Sequence, residues 1–159
     1  MKLLDFLVVE ATMDDLTGRD KTGVIKQMVS KLVEVGTLQS AQVRSVTDAL
    51  LAREKLGSTG IGKGVAVPHA KHRSVGEVTG MVARSRSGVD FGAIDGEPVH
   101  VFFLVLSSPD KAAEHLQALE SIATVLRDEH FSRFLKRAKD TDEIAELLAE
   151  ADEKFAKRV

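Results

Sequence analysis

The apolar positions of this chain change period twice. Between Asp20 and Gly36, the residues Val24, Met28, Leu32 and Val35 recur at intervals of four, four and three. That is the stripe of an amphipathic helix, and Gly36 supplies its stop. A second helix follows, with Ser40 placed to cap it, Val43, Val46, Leu50 and Leu51 as its buried stripe, and Gly57 just past its last turn. Arg53 therefore falls near the C-terminal end of this helix. Ahead of both, Leu3 to Val9 is too short for its period to separate helix from strand, and Val9 to Leu16 is expected to supply an edge strand.

Past residue 57 the period shortens. Val65 to Val67 reads as a short strand that Pro68 ends, Glu77 to Arg84 as an alternating strand, and Val89 to Phe91 as another short one. Asp95-Gly96-Glu97-Pro98 is a turn, and Val99 to Leu106 is the nearly continuous apolar run of a strand buried on both faces. Helical spacing then returns. Ser108 caps and Pro109 takes the first position of a helix whose stripe is Leu116, Leu119, Ile122, Ala123 and Leu126, with His115 one turn inside. A short amphipathic piece carries Phe131, Phe134 and Leu135. Asp140 with Glu143 forms a capping box for a last helix marked by Ile144, Leu147, Leu148, Ala151 and Phe155. These elements predict an α/β fold, a mixed four- to five-stranded sheet sandwiched by helices on both sides. With no repeat or linker to divide it, residues 1–159 are expected to form a single domain.

Composition narrows the function. A net charge of −2 and a pI near 6.2 give no basic footprint for nucleic acid, and with no Trp or Tyr a stacking platform for bases is poorly supplied. The apolar runs fall well short of the ~20 residues that cross a bilayer, so no direct membrane insertion is expected. The absence of cysteine and of a signal segment leads us to expect a cytoplasmic protein.

The chemistry concentrates between Arg53 and His72. Gly57 to Lys63 fits the first seven positions of a phosphate-binding G-x-x-x-x-G-K loop, but Gly64 stands where a Ser or Thr must hold Mg²⁺. The loop also joins a helix to a strand, so no helix N-terminus faces the phosphates. A different use of the same donors fits better. Pro68, with its fixed φ, holds His69 in one direction, and a neutral imidazole can attack phosphorus and carry the phosphoryl group as a phosphoramidate. Donors for the phosphoryl oxygens are at hand in Arg53, Ser58, Thr59 and the N–H groups of the glycine loop, Gly60 among them. No metal or other cofactor is expected, because His69 and His72 lack companions at ligand spacing. His100 and His130 read as structural, and His115 either as solvated or as pointing back at the site.

The stretch Glu54, six residues, Ile61-Gly62, two residues, Val65-Ala66-Val67-Pro68-His69-Ala70 resembles the signature of the type-2 IIA domains of the bacterial phosphoenolpyruvate:sugar phosphotransferase system, the fructose, mannitol and nitrogen-regulatory class. The wording from Arg53 to Gly62 is similar to the nitrogen-regulatory branch, and Asp95 to Val99 and the His115 helix extend the likeness over most of the chain. The resemblance implies that His69 is the phosphorylated histidine, His115 the second histidine beside it and Arg53 the phosphate-stabilising arginine. It implies phosphoryl acceptance from the phosphocarrier HPr or its nitrogen-branch counterpart NPr. It also implies either onward transfer to a IIB component or regulation of a kinase or transporter target. A binding module that keeps the fold without phosphotransfer is the alternative of another class.

Overall fold

The computed structural model describes residues 1–156, and a strand buried on both faces organises it. This is β5, Val99–Ser107, flanked in space by β4, Thr79–Val89, on one edge and by the segment from residue 65 to 71 on the other. β4 pairs antiparallel with β5, with a bulge between Arg84 and Val89. On the opposite edge β2, Val65–Ala66, and β3, His69–Lys71, both run parallel to β5. Val65 lies opposite Val101 and His69 opposite Val105. The offset is the same at both places, so β2 and β3 are two halves of one strand interrupted at Val67-Pro68. The short β1, Gly60–Gly62, adds antiparallel to β2 and completes a mixed sheet of five strands.

Helices cover both faces. Phe102, Leu104 and Leu106 of β5 pack with Met81 and Ala83 of β4 against α1, Lys21–Glu34, and α2, Val43–Lys55. Val101, Phe103 and Val105 face the other way, against α3, Ala112–Leu126, α4, Glu129–Arg137, and α5, Thr141–Ala156. That alternation explains why the sequence of β5 shows no polar face: each side chain has a helix layer to enter.

Several expectations are corrected. The segment from Val9 to Leu16 is no strand; it forms a 3-10 turn at Val9–Ala11 and meets β4 through isolated bridges at Leu7 and Met13. Its N–H groups still find partners on β4, as in Met13 to Val82 at 3.1 Å and Leu16 to Arg84 at 2.8 Å, so the edge is covered without a regular ladder. Ser40 opens a 3-10 turn, Ser40–Gln42, ahead of α2 and makes no side-chain cap. Val89 ends β4 and Phe91 is core, so the separate strand at 89–91 does not exist. Pro68 interrupts a strand where it was expected to end one, because its carbonyl still accepts from Val105 N–H at 3.0 Å. The stripes of α3 and α4 are only partly buried: Leu116 is 57% and Phe134 52% exposed, while Ala118 and Val125 are buried.

Arg84 is 1% exposed. Its Nε donates to the Asp14 carbonyl at 2.7 Å, and Nη1 donates to the Leu135 and Lys136 carbonyls at 3.2 Å each. A cation thus closes the C-terminal end of α4, where carbonyls lack helical donors. Gly80 is the tightest of the glycines: a Cβ there would lie 2.3 Å from the Leu104 carbonyl oxygen. Gly80→Ala is expected to push β4 off β5 and cost about 1–3 kcal/mol or more. Urea denaturation would show a lowered midpoint; an unchanged midpoint would mean that the sheet yields at no cost.

Candidate functional site

His69 is the first residue of β3, where the strand resumes after its break. Its Nδ1 lies 2.8 Å from the Val67 carbonyl oxygen. A carbonyl can only accept, so Nδ1 carries the proton and Nε2 keeps the lone pair. The ring is half-buried. Burial, above all, lowers its pKa below the ordinary 6.5, and the positive charges of Arg53 and Lys71 act in the same sense. At neutral pH His69 is therefore an uncharged imidazole with one nitrogen committed and the other available.

His115 projects from α3 to within 5.6 Å of His69, centroid to centroid, with the rings 60° apart. It is 4% exposed, and its Nδ1 lies 2.6 Å from the Ser107 hydroxyl at the end of β5. Burial first, then the neighbouring His69 and Lys71, push its pKa down to about 4. If the Ser107 hydroxyl donates to Nδ1, the remaining proton of neutral His115 sits on Nε2 and can be given to an oxygen bound near His69.

Arg53 stands on the last turn of α2 and donates from Nη1 to the Gly57 carbonyl at 2.8 Å. It borders two shallow hollows that meet at His69, one of about 250 Å³ with Ile61, Ala123 and Leu126 on its wall, the other of about 700 Å³ with Leu56, Leu116 and His115. Leu119 also borders both. Part of the α3 stripe read from the sequence is thus the apolar wall of the candidate site.

The glycine loop is tied down from within. Ser58 donates from Oγ to the Phe91 carbonyl at 2.6 Å and accepts from Gly60 N–H at 3.0 Å. Thr59 gives both its N–H and its hydroxyl to the carboxylate of Glu54, at 3.1 and 2.5 Å. The hydroxyl hydrogens of Ser58 and Thr59 and the Gly60 N–H therefore have partners inside the protein, and reaching an outside oxygen would require an exchange. Farther along, Gly62, Lys63 and Gly64 all have positive φ, at 96°, 58° and 79°. Lys63 is held in this costly conformation by its N–H on Asp95 at 2.9 Å, an ion pair with Glu129 at 2.9 Å and a bond from the Lys136 ammonium to its carbonyl. Lys63 thus faces α4, while Lys71 borders the larger hollow beside His69.

The structure gathers His69, His115 and Arg53 at one place, with Ser58 and Thr59 along the smaller hollow. His72 bonds through Nδ1 to the Ser74 hydroxyl at 2.6 Å, His100 to the Ser85 carbonyl at 2.9 Å, and His130 stacks on Phe134. Among the described residues, no three histidines or carboxylates converge as a metal site would need. Sequence reasoning missed the Val67 carbonyl and Ser107, which no side-chain pattern marks. It also passed over Glu54, present in the motif but read there only as spacing.

Comparison with known proteins places this arrangement. The chain belongs to the family described as phosphoenolpyruvate-dependent sugar phosphotransferase system, EIIA 2, whose model matches residues 5–151. It is 36% identical over 149 residues to a nitrogen regulatory protein of Bradyrhizobium diazoefficiens, covering 94% of this chain and 95% of that one. Among solved structures it resembles the nitrogen regulatory protein IIA-Ntr of Neisseria meningitidis, with a TM-score of 0.80 at 32% identity over 91% of this chain and 97% of the other. It also resembles the mannitol enzyme IIA of Escherichia coli in complex with phosphorylated IIB, with a TM-score of 0.73 at 26% identity over 89% and 95%. A phosphotransferase-system component with a mixed α/β fold is what sequence, fold and family agree on. No described helix is long and apolar enough to cross a membrane.

The burial of His115 makes a pH prediction. Above pH 6.5 the ring is neutral folded or unfolded and contributes no slope. Between about 6.5 and 4 the unfolded chain takes up a proton that the folded one refuses, so stability falls as pH falls through that window. The imidazole should titrate near 4 by NMR, and His115→Gln should flatten the pH dependence of urea stability across the same range. A midpoint at 6.5 or above would contradict the burial argument.

Proposed function

We propose that this chain is a single IIA domain that accepts a phosphoryl group on Nε2 of His69 from HPr or NPr. The observation that carries this is the Val67 carbonyl bond, which leaves Nε2 as the nucleophilic nitrogen of a neutral ring at the meeting point of two apolar hollows. The Nε2 lone pair attacks phosphorus in line, the P–N bond to the donor histidine breaks, and its electron pair returns to the donor ring. Positive charge that develops on His69 is stabilised at Nδ1 by the carbonyl. Arg53 and the Nε2–H of His115 are placed to meet the phosphoryl oxygens, while Ser58, Thr59 and Gly60 build the loop and could donate only after exchanging their internal partners. Positioning and charge stabilisation account for the rate.

The apolar walls suit a protein partner more than a polar metabolite, since the donor histidine must arrive on the surface of another protein. Similarity to nitrogen regulatory proteins over nearly the whole chain supports a regulatory role in which phosphorylation state controls binding to a kinase or transporter. The likeness to mannitol IIA, solved with a phosphorylated IIB, favours a second reading in which the group passes to a separate IIB for sugar uptake. Either role fits a cytoplasmic protein.

Incubation with phosphoenolpyruvate, enzyme I and HPr or NPr should add one acid-labile phosphate, detected by mass spectrometry, and His69→Ala should abolish it. Equal labelling of that variant would remove His69 from the reaction. Arg53→Ala should slow transfer by roughly 10²-fold while the fold persists, the loss expected for one transition-state donor; unchanged kinetics would remove Arg53 from the site.

A further inference from the structure

Behind His69 lies a buried carboxylate that phosphoryl transfer leaves without a task. Glu54, 4% exposed, follows Arg53 on the last turn of α2. Besides the two bonds from Thr59, it faces the Lys21 ammonium of α1 at 3.5 Å, and that ammonium lies 4.9 Å from the centre of the Phe91 ring. From Thr59 the bonding continues toward the nucleophile. The Thr59 carbonyl accepts from Val67 N–H at 3.0 Å, and the Val67 carbonyl accepts from His69 Nδ1–H at 2.8 Å.

Val67 needs this support because it sits at the break in the strand. β2 and β3 are aligned by β5, but the residues paired with β5 stop at Ala66 and resume at His69. Pro68 gives its carbonyl to Val105 of β5, while Val67 N–H faces away from β5 and donates to Thr59. The direction of the Val67 carbonyl therefore depends on where Thr59 is, and Thr59 is held by Glu54 alone through its N–H and hydroxyl. The two donors of Thr59 go to separate oxygens of the Glu54 carboxylate, of which an amide would keep only one.

We infer that Glu54 is a positioning residue for His69: through Thr59 it orients the Val67 carbonyl and so keeps the imidazole in the tautomer that leaves Nε2 free. The inference rests on His69 being the reacting residue, and one of its measurements is independent of that. In the unphosphorylated protein, two-bond nitrogen–proton NMR correlations report the His69 tautomer. Wild type should show the Nδ1–H form, and Glu54→Gln a mixture of both forms. In transfer from phosphorylated HPr, the same variant should lose roughly tenfold in kcat with KM within about twofold, the pattern of a misaimed nucleophile with intact docking.

A folded Glu54→Gln protein with the wild-type tautomer and kcat would overturn the inference. If that variant loses cooperative unfolding, Thr59→Val decides. It keeps the backbone bond to Glu54, removes only the hydroxyl bond, and should shift tautomer and kcat in the same direction by less; a wild-type tautomer there would overturn the inference equally. Should wild type itself accept no phosphoryl group, the functional reading fails while the tautomer comparison still decides the positioning role.

Discussion

The parallel pairing of residues 65–71 with β5 is the constraint on which the site depends. It holds a constant register across a gap that Pro68 makes unavoidable, since proline has no N–H to give and restricts the residue before it. The register pairs stop at Ala66 and resume at His69, leaving Val67 and Pro68 between them. Pro68 still gives its carbonyl to Val105 N–H, while the Val67 carbonyl, facing away from β5, is the orienting partner of His69. The candidate site is thus built into an irregularity of the sheet, stabilised because the regular parts on either side are fixed by β5.

Burial then sets the protonation states. Both histidines are held neutral by the cost of charging an imidazole away from water, reinforced by Arg53 and Lys71 at His69, and by His69 and Lys71 at His115. A pair of neutral rings offers one lone pair and one donor, where two charged rings would offer only donors and repel each other. The same apolar surroundings that depress the pKa values line the hollows on either side, so electrostatic tuning and the shape of the candidate site draw on one set of side chains.

The large elements were legible because their signals are local. The stripe of Val24, Met28 and Leu32 and the unbroken run from Val99 to Leu106 allow little else, and Pro68-His69 just past the glycine loop marked the candidate site. What the sequence did not reveal depends on long-range contacts. Val9 to Leu16 has the composition of a strand, yet 3-10 turns satisfy its backbone against β4 just as well. Leu116 follows helical spacing as faithfully as the true core, because an apolar wall facing a hollow and one facing a sheet share a period. Ser58 and Thr59 looked like free donors, and only the fold reveals the Phe91 carbonyl and the Glu54 carboxylate that engage them.

The tip of the β1–β2 hairpin, with three successive positive φ angles, has a kinetic consequence. Nothing in its own sequence favours that shape for Lys63, and the groups that hold it come from 32, 66 and 73 residues farther along, at Asp95, Glu129 and Lys136. Contacts of such separation form late, after the loops between them have closed. A chain emerging from synthesis therefore cannot finish this loop until α4 has been made and docked.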